Sequence, residues 1–261
     1  MLSYIKAFNQ IGLSDIAEVG GKNSSLGEMY TQLSSKGIKV PNGFAVTAFA
    51  FKHFLQCNKL DGVHQRLLEK LDRENFDNLS EIGQQAREIV LSSRIPDDLA
   101  EAIGVAYRKL AQQTEAVVAV RSSATAEDLP DASFAGQHDP FLNIKGEKAL
   151  LKAVKACFAS LYTDRAIKYR EDKGFDHSSV ALSVGVQLMI RSDKACSGIG
   201  FTLEPESGFR DVVHLSAVWG LGENIVQGQV SPDELILFKP SLRNNKHAII
   251  QRKLGSKLKM M

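Results

Sequence analysis

The residues best suited to chemistry lie around Arg121. An apolar stretch, residues 116–120, leads into this arginine. Ser122, Ser123, Ala124 and Thr125 follow it, and then Phe134-Ala135-Gly136-Gln137. A guanidinium offers a fixed fork of donors that suits phosphate oxygens, and small hydroxyl and glycine residues let backbone N–H groups approach an anion closely. The pattern therefore points to a polyphosphate site. It equally fits a buried structural arginine followed by a polar turn, and spacing alone leaves both readings open. A second candidate is Gly20-Gly21-Lys22, placed before a helix predicted to start at Asn23-Ser24-Ser25. A lysine on a glycine turn at a helix N-terminus favours an anion. It is not a P-loop, because Asn23 follows the lysine and the upstream glycine spacing is wrong. The third candidate is the stretch 180–190, where Val180, Leu182, Val184, Val186, Leu188 and Ile190 alternate with Ala181, Ser183, Gly185, Gln187 and Met189. A glutamine and a methionine among small residues make a face on which Gln187 reads an adenine edge and Met189 packs on the ring. A sheet face covered by a helix would look the same.

These residues need elements to hold them. The first half of the chain is predicted to be mainly helical, with helices after Asn23, after Thr47, near 61–72 and 78–93, and from Pro96 to Gln113. The second half carries the strand ending at Arg121, a short strand over 140–144 and one long helix over 147–173. Strand candidates follow at 181–190, 197–203, 211–217 and 234–238. Helices and strands segregate, which predicts an α+β fold with a helical N-terminal half and largely antiparallel sheet in the C-terminal half. The expected division is a helical lobe over 1–115 and a second lobe over 116–261, incomplete at its C-terminus.

Composition excludes several classes. The 261 residues are 44% hydrophobic, enough for a sizeable core, and 32 basic against 30 acidic residues give a net charge of +2. No strong field recruits nucleic acid or a membrane surface, and no segment is apolar enough to span a bilayer. Three cysteines, Cys57, Cys157 and Cys196, do not form a disulfide framework and indicate a reducing, cytoplasmic setting. Glu204 and Glu223 are acidic groups near strand ends, and His138, His177 and His214 are isolated; no metal-ligand pattern emerges.

Several separated segments then converge. Val19-Gly20-Gly21-Lys22-Asn23-Ser24-Ser25-Leu26-Gly27-Glu28-Met29, Val40-Pro41-Asn42-Gly43-Phe44-Ala45, residues 119–137, residues 158–166 and Trp219-Gly220-Leu221-Gly222-Glu223 resemble the phosphoenolpyruvate synthases of the pyruvate phosphate dikinase family. The resemblance is to their N-terminal, ATP-grasp-type nucleotide-binding region. It implies a parent activity that turns ATP, pyruvate and water into phosphoenolpyruvate, AMP and phosphate, through a phosphohistidine on a separate domain. It also implies ATP and Mg²⁺ as cofactors, with Lys22 and Arg121 as the catalytic cations on the phosphates. The loop holding Gly136 and Gln137 would close over them, with Gln187 and Met189 at the adenine. An oligomer is compatible with it. Pro140 stands where the family usually has threonine, which predicts weaker nucleotide binding. The family's metal-binding segment, phosphohistidine domain and pyruvate barrel have no counterpart in the chain, so the expectation is a truncated protein, inactive alone. A related dikinase, a rifampin phosphotransferase or a shortened, non-catalytic nucleotide binder are the alternatives.

Overall fold

The computed structural model describes residues 3–112, 115–125, 140–177 and 180–260. Strand β5 (Leu182–Leu188) lies at the centre of its sheet. It pairs with β2 (Gly43–Val46) on one side and β3 (Val117–Ala124) on the other, both antiparallel. β1 (Ile5–Ala7) and β4 (Phe141–Lys145) flank these, completing the order β1-β2-β5-β3-β4. β3 does not stop at Arg121: Ser122 and Ser123 continue in register opposite Val184 and Ser183. The arginine therefore projects from mid-strand, paired with Gly185 of β5.

One face of this sheet presents Phe44, Val46, Val118, Val120, Leu182, Val184 and Val186 to the main core. Helices α2 (Ala48–Cys57), α3 (Asp61–Leu68), α4 (Leu79–Ser92), α5 (Asp97–Ala111), α6 (Glu147–Ser160) and α7 (Asp164–Lys173) supply that core's other residues. The hydroxyl of Thr47 caps α2 by accepting from Ala50 N–H at 3.3 Å. The single helix expected over 147–173 is in fact two, α6 and α7. Thr163 takes extended geometry and caps α7, accepting from Ala166 N–H at 3.3 Å. The apolar stripe runs across the break, which is why periodicity alone reads it as continuous.

The opposite sheet face is covered by α1 (Ile16–Ser34), with Phe8, Ile11, Val19 and Ala45 forming a small second core. α1 is broken at Gly20, whose φ of 72° and ψ of 164° are not helical. Asn23 thus lies inside a helix rather than capping one.

Compact units divide after Met189, as 1–189 and 190–261, and not near residue 115. The reason is the pairing: β3, β4 and β5 complete the sheet that β1 and β2 begin, so the chain on either side of 115 shares one sheet and one core. The second unit is a four-stranded antiparallel sheet in the order β6-β7-β8-β9, formed by Cys196–Phe201, Val212–Trp219, Asp233–Phe238 and Ile249–Lys253. Two short helices, α8 (Glu223–Val226) and α9 (Lys239–Arg243), accompany it. Among the described residues no helix is long and apolar enough to cross a membrane.

Candidate functional site

The α1 face of the sheet is built from small side chains. Ala119, Arg121 and Ser123 of β3 stand opposite Gln187, Gly185 and Ser183 of β5. At Gly185 a Cβ would fall 2.2 Å from Asn23 Oδ1, so only glycine lets the helix come this close. Asn23, 2% exposed, donates its amide to Val19 O at 3.1 Å and to Ser183 Oγ at 3.1 Å, and Ser183 Oγ donates to Val46 O at 2.8 Å. Ser123 Oγ accepts from Asn23 N–H at 3.4 Å. A Cβ at Gly20 would lie 2.6 Å from Ser123 O and 2.8 Å from Ala124 O, so the break in α1 is pressed directly onto β3. These ties fix the restarted helix, beginning at Gly21, over the middle of the sheet.

Beside that helix start is a cavity of about 340 Å³. Lys22, Arg121 and Gln187 line it together, with Phe8 and Leu26 as its apolar wall and Gly21, Ala119 and Gly185 as its smooth parts. Two cations and a helix N-terminus give it a positive end, and the dipole of α1 adds to the side-chain charges. Gln187 is oriented: its amide nitrogen donates to Pro41 O at 3.2 Å. Chemically the lining offers two cationic side chains and one amide to whatever enters the cavity.

Met189 is not brought to this cavity. β5 ends at Leu188, Met189 N–H donates to Val117 O at 2.9 Å, and its thioether accepts from Asn143 N–H at 3.2 Å. Gly136 and Gln137 lie outside the described residues. Residues that sequence reasoning passed over are Phe8, which supplies the wall, and Asn23, Ser123 and Ser183, which hold the helix. The run of small residues at alternate positions 119, 123, 183 and 185 was the available signal for a close helix approach.

Among the described residues no group of three or more His, Cys, Asp or Glu is placed to hold a metal ion. Glu204 is occupied by its own turn, accepting from Ser207 N–H at 2.7 Å and Glu206 N–H at 3.2 Å, and Glu223 accepts from the Gln227 amide at 2.8 Å.

The fold is α+β, of ATP-grasp-like class, with antiparallel sheets. Comparison with known proteins gives the family: residues 16–261 match the model of the pyruvate phosphate dikinase AMP/ATP-binding domain, and the chain belongs to that family. It is 50% identical, over its full length, to 32% of the phosphoenolpyruvate synthase of Helicobacter pylori. Over 96% of its length it is 52% identical to the phosphoenolpyruvate synthase of Escherichia coli, again covering 32% of that protein. A probable phosphoenolpyruvate synthase of Methanocaldococcus jannaschii is 44% identical over 92% of the chain, which covers 20% of it. The chain thus spans about a third, or less, of the length of these relatives.

Proposed function

We propose that the chain binds ATP in the cavity beside the α1 break, as the nucleotide domain of a pyruvate, water dikinase. The observation that carries this reading is the convergence of Lys22, Arg121 and Gln187 on one cavity at a helix N-terminus. ATP carries several negative charges, and their stabilisation by fixed cations is the main demand that phosphoryl transfer places on a protein. Lys22 and Arg121 meet it, each charge-assisted bond contributing about 1.5–3 kcal/mol. Gln187, with its amide nitrogen committed to Pro41, offers Oε1 to the exocyclic amine of adenine. The loop with Gly136 and Gln137 is assigned to closure over the phosphates. The relatives are named phosphoenolpyruvate synthases, and the parent reaction assigned here is the conversion of ATP, pyruvate and water into phosphoenolpyruvate, AMP and phosphate, with Mg²⁺ accompanying the nucleotide. The unpaired cysteines support a cytoplasmic setting.

Calorimetric titration of the chain with ATP and, separately, AMP tests this. Saturable binding that favours ATP, with the preference lost in Lys22→Ala, is expected. A folded chain that binds neither nucleotide, or both equally, overturns it.

A further inference from the structure

Asn23 spans the break in α1. Gly20, with φ of 72° and ψ of 164°, interrupts the helix, and Asn23 Nδ2 reaches back over it to donate to Val19 O at 3.1 Å. The same nitrogen donates to Ser183 Oγ at 3.1 Å, and the backbone N–H of Asn23 donates to Ser123 Oγ at 3.4 Å. Ser123 and Ser183 stand directly opposite each other on β3 and β5, and the next pair on that face is Arg121 with Gly185. Asn23 Oδ1 lies over Gly185, where a Cβ would fall 2.2 Å from it. One residue, 2% exposed, thus meets both sides of the helix break, both strands and the register partner of Arg121. Its chain neighbour is Lys22, which lines the cavity together with Arg121. Two like charges that line one cavity repel each other, and the ties made by Asn23 oppose their separation.

We propose that Asn23 is the positioning residue of the phosphate end of the cavity, setting where Lys22 stands relative to Arg121. The proposal rests on the nucleotide reading above. Shortening Asn23 leaves Val19 O without its bridge across the break and frees the helix from the Ser123–Ser183 pair. A displacement of about 1 Å at Lys22 is then enough to weaken a charge-assisted bond to a distal phosphate. AMP has no distal phosphates and should feel the change little. Asn23 therefore acts through Lys22 and touches no part of the nucleotide itself.

The test is a calorimetric double-substitution cycle on the full chain, titrated with ATP and with AMP. Asn23→Ala should lower the ratio of ATP to AMP affinity roughly tenfold, mostly by weakening ATP. In a Lys22→Ala background the same substitution should leave the ratio where Lys22→Ala alone puts it. Ser183→Ala removes one tie, keeps the bridge to Val19, and should lower the ratio by less, roughly threefold. It gives the same reading should Asn23→Ala fail to fold. A purely structural role would weaken ATP and AMP together and persist in the Lys22→Ala background; either result overturns the proposal. A parent chain that binds neither nucleotide overturns the nucleotide reading and this proposal with it. A parent that prefers ATP, with that preference intact in Asn23→Ala and Ser183→Ala, overturns the proposal alone.

Discussion

The two faces of the five-stranded sheet are made from alternate residues of the same strands and serve opposite ends. On the helical face β5 places Leu182, Val184 and Val186, all fully buried, against a core whose largest members include Phe51, Phe54 and Phe158. On the α1 face the same strand places Ser183, Gly185 and Gln187, and the covering helix is held by hydrogen bonds together with a small apolar cluster. The contrast teaches that the apolar set carries stability while the small set lets α1 approach closely and leaves a cavity beside it. The helical side has a cavity of its own, of about 440 Å³, lined among others by His64, Tyr162 and His177. There the polar groups are largely committed to one another. Arg170, 1% exposed, donates from Nε to His177 Nδ1 at 2.7 Å, and His177 Nε2 meets Glu171 Oε1 at 2.8 Å. Arg73 Nε closes the chain on Glu171 Oε2 at 3.0 Å. His64 stacks on Tyr162 with ring centroids 4.2 Å apart.

The comparison breaks or sharpens with substitutions on each face. The largest effect is expected from Phe158→Ala, which removes a fully buried ring lying 5.1 Å from Phe51 and 5.3 Å from Phe54. A loss of about 3–5 kcal/mol in chemical denaturation is expected, with the ATP affinity of the folded fraction unchanged. Next is Gly20→Ala, which strains a positive φ and drives a Cβ into Ser123 and Ala124. It should cost about 2 kcal/mol and also weaken ATP binding, because it displaces the helix start. Arg121→Ala should raise the ATP dissociation constant roughly 10–100-fold in calorimetry, with stability within about 0.5 kcal/mol of the parent.

The smallest effect is a pH dependence confined to the helical face. Burial, the largest influence on both, holds His64 and His177 below the ordinary histidine value of 6.5. The unfolded chain then binds more protons than the folded one as pH falls through that value, so stability is present above it and is lost on acidification. The melting temperature should drop between about pH 7.5 and about pH 5.5, and His177→Gln, which keeps an acceptor for Arg170, should flatten the slope. An unchanged slope would remove His177 from the account.

Much of this was readable from residue types. The alternation over 180–190 identified both faces of β5, and Thr47 was legible as a cap. What escaped notice rests on partners distant in the chain. Asn23 has the type of a helix cap, yet its amide is spent on Ser183, 160 residues away, and the true discontinuity is at Gly20. Ser122 and Ser123 read as a polar turn after a strand, whereas pairing with β5 carries β3 on to Ala124. Met189 continues the period of Gln187 but lies past the end of β5, and its sulfur accepts from Asn143 N–H of β4. The division of the chain near residue 115 failed for the same reason, since only the pairing of distant strands shows that the sheet continues across it.

The central claim is that the nucleotide occupies the α1 face. The most direct measurement is amide chemical-shift mapping of the chain as ATP is added. Shifts concentrated at residues 20–26, 119–122 and 185–187 are predicted. Shifts concentrated instead at residues 61–73 and 176–181, around the cavity of the helical face, would contradict the account.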